Sequence, residues 1–286
     1  MKHLISLNKV QNDEFSHFLQ QTRKKIISNP KTTLENVLED YDKTSITLEN
    51  LSAAIKNLRE LSYEYFLDEE AVFNGEILKN IALKFEIPSQ ILQNLSIQFL
   101  NSLDKNNFKK QLAFYFGEFS AGISPYIYAL CLSNTNSRRS RSGKTFEAVI
   151  YFLYSHFNYK FDAQSKIGKK AFSKYGLGKV VDSILPSIDA FDEFRNKTIV
   201  GSMKTSLRER WQEVVEETAR SNLPNIYLLT CDENISKNKI IQMKEHNIIL
   251  VVYKNVKENL KEFPSVISFE EYFSKEIPVV MEYWKC

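Results

Sequence analysis

A change of period constrains this chain more than any other feature. From Val180 onward, four short runs rich in β-branched and aliphatic residues read as strands: VVDSIL (180–185), KTIVGSMK (197–204), NIYLLTC (225–231) and NIILVVY (247–253). Helical patterns fill 206–220 and 235–245. Strand and helix in alternation imply an α/β (α+β) core, a mixed β-sheet flanked by helices. Before about residue 135 the spacing is different. Leu48, Leu51, Ile55, Leu58 and Leu61 recur at steps of three and four, which predicts an amphipathic helix over 45–65. Further helical patterns fall at 76–86, 89–103 and 107–119. The expected division is a helical N-terminal part, 1–135, and a core, 136–286.

Composition removes several classes. Cys131, Cys231 and Cys286 are far apart and form no CxxC pair, which fits a reducing compartment and argues against a disulfide framework or zinc ribbon. The start, MKHLISLNKVQND, turns polar too soon for a secretory signal. The most apolar runs, 121–132 and 248–253, are too short to span a bilayer. A cytoplasmic location follows as the expectation. His3, His17, His156 and His246 show no ligand spacing, against zinc chemistry. The net charge of +3 is uninformative, but its distribution is not. Between Ser137 and Lys179 there are ten Lys/Arg against two acids, Glu147 and Asp162. Such a block suits a polyanion, or a solvated surface.

Two local motifs compete for attention. SGKT at 142–145 resembles a phosphate-binding loop, but the glycine such a loop needs five residues before Gly143 is Arg138, and NTNSRRSR reads as a polar loop rather than a strand. GKT is better read as the start of a helix whose apolar stripe is Phe146, Val149, Ile150, Leu153 and Phe157, with Glu147 beside it. ALKFEIPSQILQNL (82–95) resembles a helix-turn-helix, although Glu86 stands where the turn often wants glycine.

A stronger constellation lies downstream. Asp182 interrupts the run VVDSIL, where an acid is unfavourable unless it has a partner or a task. Lys204 ends the next strand, and two neighbouring strands would bring the pair to one edge. Position 202, where many metal-dependent nucleases carry an acid two residues before such a lysine, is serine. Thr205 and Ser206 can cap the following helix. Leu207, Trp211, Val214, Val215 and Ala219 give that helix a packing face. Glu209, Glu213 and Glu217 repeat at four-residue steps and repel one another, a repulsion that Arg210 or a metal would relieve. Magnesium-assisted phosphodiester hydrolysis needs one or two carboxylates on a hard ion and a cation at the phosphate, and no histidine cluster.

The stretches SRRSRSGKTFE (137–147), VDSILPSID (181–189) and GSMKTSLRERWQEVVEE (201–217) resemble the PD-(D/E)xK type II restriction endonucleases. The likeness is greatest to the branch that includes SsoII, PspGI and the catalytic domain of EcoRII, whose targets contain CC…GG. In that branch the second carboxylate has migrated from the strand to the following helix. The resemblance implies a restriction-endonuclease-like core. It implies Glu147, Asp182, Lys204 and Glu217 as catalytic residues, at spacings of 35, 22 and 13, with Asp182 and Glu217 on Mg²⁺. Val181 and Ser202 depart from the wider superfamily pattern and are tolerated in this branch. No match covers the N-terminal half.

Arg208, Glu209 and Arg210 have the chemistry to read adjacent G·C pairs, since arginine can bridge guanine O6 and N7 and glutamate can accept from cytosine N4. The resemblance assigns them to a CC:GG half-site. Arg138, Arg139 and Arg141 are expected to contact the DNA backbone. A palindromic target in double-stranded DNA cut in both strands implies a homodimer, with the N-terminal part as DNA clasp, dimerisation element or both. The resemblance further implies 5′-phosphate ends, a prokaryotic host and a companion DNA methyltransferase. Two rivals remain open from sequence: a DNA-binding regulator without catalysis, and a nuclease of repair or structure-specific type.

Overall fold

The computed structural model of the 286-residue chain describes residues 6–85, 108–178, 180–207, 210–221 and 223–285. These form seven helices of nine residues or more: α1 (Lys9–Ile26), α2 (Pro30–Asp40), α3 (Leu51–Lys84), α4 (Phe108–Gly122), α5 (Ser124–His156), α6 (Arg210–Ser221) and α7 (Lys237–Glu245). Six strands make one sheet: β1 (Asp162–Ala163), β2 (Ser183–Leu185), β3 (Ile199–Lys204), β4 (Ile226–Thr230), β5 (Ile248–Val252) and β6 (Val266–Ser268).

The chain separates into two compact units, neither continuous in sequence. One comprises Met1–Asn29 and Glu64–Ser140, the other Pro30–Tyr63 and Arg141–Cys286. The first is built from helices around Phe15, Leu19, Phe73, Ile77, Ile81, Ile123, Tyr126 and Leu130. The second contains the whole sheet, and the segment 30–63 belongs to it rather than to a separate N-terminal part. The reason is apolar: Leu34, Leu38, Leu51, Ile55 and Leu58 are buried in the same core as the strands.

The sheet order is β1-β2-β3-β4-β5-β6, antiparallel from β1 to β3 and parallel from β3 to β6. β4 is buried at every residue and β5 at all but Ile249, as strands covered on both faces must be. The parallel steps β3–β4 and β4–β5 require crossovers, and α6 and α7 supply them. α6 is held against the sheet by Trp211 and Val214, as the sequence pattern predicted.

Several elements differ from their sequence-predicted extents. NTNSRRSR is not a loop. It lies inside α5, which runs unbroken past Gly143, so SGKT cannot wrap a phosphate. β2 begins at Ser183, one residue after Asp182, although the Asp182 N–H still donates to Gly201 O at 2.9 Å. α6 starts at Arg210 rather than 206, leaving Thr205 and Ser206 in the connection. Residues 86–95 of the helix-turn-helix candidate and the helix expected at 89–103 lie outside the described residues. No helix among the described residues is long and apolar enough to cross a membrane.

Candidate active site

The site follows from strand direction. β2 runs antiparallel to β3, so the residue entering β2 lies beside the residue leaving β3. The first is Asp182 and the second is Lys204. Lys204 Nζ stands 3.6 Å from Asp182 Oδ2, with only 14% and 17% of the two side chains exposed. The same Oδ2 accepts from the Met203 backbone N–H at 2.6 Å. The carboxylate is thereby fixed across the end of β3, not left to swing in solvent.

The backbone of Asp182 is braced as well. Its carbonyl accepts from Tyr151 Oη and from the Gln164 N–H, both at 2.9 Å. Gln164 Nε2 donates to the preceding carbonyl, Val181 O, also at 2.9 Å. Tyr151 stands on α5 four residues after Glu147, one turn along the same helix face. Burial pushes its phenol far above the ordinary range, so it remains a donor. Neither brace was found from sequence. Tyr151 carries only a weak signal, its four-residue spacing from Glu147.

Glu147 completes the described acidic pair. Burial first, and then the charge of Asp182, push its carboxyl up to about 7, against the opposing pull of Lys204 and Lys144. The Glu147 helix and the Asp182 strand therefore present two carboxylates that resist being ionised together. Ser202 shares the side of β3 that carries Lys204. Its side chain is buried, and its hydroxyl has no hydrogen-bond partner among the described residues. Extending the β2–β3 register by one pair sets it opposite Asp182.

These donors suit a hard divalent cation. They are oxygens, they are partly desolvated, and they carry more negative charge than Lys204 balances, so a cation would relieve the strain on Glu147. Among the described residues no three His, Cys, Asp or Glu side chains gather into a metal cluster. The third expected acid, Glu217, belongs to α6, and its side chain lies outside the described structure. Arg210 opens the same helix, and its side chain likewise lies outside the described structure. Arg208 and Glu209 lie outside the described residues.

The three arginines expected on the DNA backbone differ from one another. Arg138 forks onto Glu70, whose side chain is 2% exposed, with Nε 2.9 Å from Oε2. Arg141 donates to Thr33 Oγ1. Arg139 is exposed. A helix explains the difference, since consecutive residues on α5 point in different directions.

A mixed sheet with Asp and Lys at adjacent strand ends, and an acid on the helix alongside, defines a phosphodiesterase core of the PD-(D/E)xK kind. Comparison with known proteins agrees. The family model described as EcoRII C terminal matches residues 100–273. The type II restriction enzyme SsoII of Shigella sonnei is 33% identical over 210 residues, 73% of this chain and 68% of the relative. Metal-depleted Ecl18kI in complex with uncleaved DNA superposes with a TM-score of 0.77 at 26% identity, covering 96% of this chain and 86% of that one. The PspGI–substrate DNA complex gives 0.56 at 18%, covering 99% and 100%, a likeness of fold. The chain belongs to the EcoRII C-terminal family, among the type II restriction endonucleases related to SsoII. The fold and branch expected from the sequence are both borne out.

Proposed function

We propose that this enzyme hydrolyses double-stranded DNA at a short palindrome containing CC…GG, with Mg²⁺, leaving 5′-phosphate ends. The observation that carries this reading is the Asp182–Lys204 pair across two strand ends, with Glu147 pushed toward neutrality beside it. Asp182 and Glu217 would hold the metal. When bound, it supplies charge neutralisation at the scissile phosphate and a more acidic water.

The chain's own residues account for the rest. Lys204, held by Asp182, offers a cation to a phosphate oxygen and orients the attacking water. Glu147, half protonated near pH 7, holds or accepts a proton beside the site. The Met203 N–H keeps the Asp182 carboxylate in place whether or not a metal is present. Arg208, Glu209 and Arg210 would read the half-site. Arg139 would contact the DNA backbone, while Arg138 and Arg141 would do so from guanidinium groups already anchored on Glu70 and Thr33. A palindromic target cut in both strands calls for a homodimer, and protection of host DNA calls for a companion methyltransferase.

Plasmid cleavage followed by sequencing of the fragment ends tests the proposal. One recurrent CC…GG site with 5′-phosphate ends supports it. Ends scattered over branched or damaged DNA would support the repair reading, and retarded but uncut plasmid would support the regulator.

A further inference from the structure

Asp232 stands outside the machinery described so far. It lies two residues beyond β4, in the loop that follows the strand. Its Oδ2 accepts from the backbone N–H of Leu207 at 3.0 Å, a residue 25 positions earlier in the chain. Its Oδ1 accepts from the Asn234 N–H at 3.1 Å, and its own N–H donates to Thr230 Oγ1 at 3.1 Å. The carboxylate is thus oriented by its own loop before it meets Leu207. Thr230 is fully buried, and it is the register partner of Lys204 in the β3–β4 pair.

Five residues of sequence separate Lys204 from Arg210, the first described residue of α6, and Arg208 and Glu209 among them lie outside the described residues. One end is fixed by the β3 ladder and the other by Trp211 packed on the sheet. Leu207, itself buried, is pinned between them by Asp232. The next residues in sequence are Arg208, Glu209 and Arg210.

We infer that Asp232 is a positioning residue for base recognition, setting the triplet 208–210 in register with Lys204 through the Leu207 backbone. The inference rests on the proposed base-reading role of that triplet. Bidentate contacts to base edges demand close placement, whereas phosphate contacts tolerate displacement and carry no sequence information. Loss of the pin should therefore reduce selectivity more than overall affinity.

The test uses a library of DNA duplexes with eight randomised base pairs, incubated with the full chain in a metal-free buffer; the retained duplexes are sequenced. The wild type should enrich one motif. In Asp232→Ala that enrichment should fall about tenfold, while retention of the unselected library changes less than about twofold. Asp232→Asn, which keeps the volume and one acceptor oxygen instead of two, should fall in the same direction by less, and it supplies the result if the alanine variant does not fold. Wild-type enrichment in both variants would overturn the inference. So would equal losses of enrichment and of general retention, the mark of a merely structural role. Arg210→Ala separates the two levels. If it leaves the motif intact, the reading of the triplet fails and this inference fails with it. If it erases the motif while the Asp232 variants keep theirs, only the role of Asp232 is wrong.

Discussion

Glu147 shows how one side chain can report on the whole site. Its carboxyl is raised from an ordinary value of 4.5 to about 7, chiefly by burial and next by Asp182. A raised carboxyl contributes stability that is fully present below the unfolded value and is lost as pH rises through the folded one. The metal-free protein should therefore lose stability between about pH 4.5 and 7, by on the order of 3 kcal/mol at most from this group. Glu147→Gln should flatten that slope, and should melt higher than the wild type at pH 8 in chelator. Thermal unfolding at pH 5 and pH 8 decides it; parallel slopes in the two proteins would contradict the assignment. A second residue-scale prediction concerns the vacant position in the superfamily pattern. Ser202 carries a buried hydroxyl with no partner among the described residues. Ser202→Ala should cleave within about twofold of wild type, because removing an unsatisfied group costs little. Glu217→Ala should lose about a thousandfold, the scale of a lost metal carboxylate. The reverse ranking in single-turnover cleavage would place the second carboxylate elsewhere.

At the scale of elements, the site is a joint between α5, β2 and β3. Tyr151 ties the helix that carries Glu147 to the carbonyl of Asp182, and Gln164 holds the same carbonyl from β1's side. Tyr151→Phe removes the hydroxyl that donates to Asp182 O and leaves the ring stacked on Phe161. Its cleavage rate should fall about tenfold with substrate affinity unchanged and stability reduced by only about 1 kcal/mol. A wild-type rate would mean that the joint does not govern catalysis. This joint was hardly legible in the sequence. The strands were, because β-branched runs such as IVGSMK and IILVV carry their own signal, and so were Asp182 and Lys204, an acid inside one run and a lysine at the end of the other. The start of α6 was misplaced because Thr205 and Ser206 can cap a helix, yet here the chain first passes Leu207 into the core. The helical state of NTNSRRSR was missed because polar residues lack an apolar stripe; Asn134 and Arg138 are instead held there by Arg23 and Glu70. Asp232 left a usable clue, an acid just past the carboxyl end of a parallel strand, where α/β sheets place their functional groups.

At the scale of the molecule, the period change near residue 135 located the helical and sheet-bearing regions but not their true grouping. Residues 30–63 look like the helices before and after them, and only burial assigns them to the sheet unit. The proposed catalytic residues Glu147, Asp182, Lys204 and Glu217 all belong to that unit. In Mg²⁺, purified wild-type protein should cut a plasmid into discrete fragments. Asp182→Ala and Lys204→Ala should each cut at least about a thousandfold more slowly while retaining a cooperative melt, since the loss is one of transition-state stabilisation and not of folding. Fragmentation by either variant at the wild-type rate would contradict the assignment of this strand-end pair as the catalytic centre.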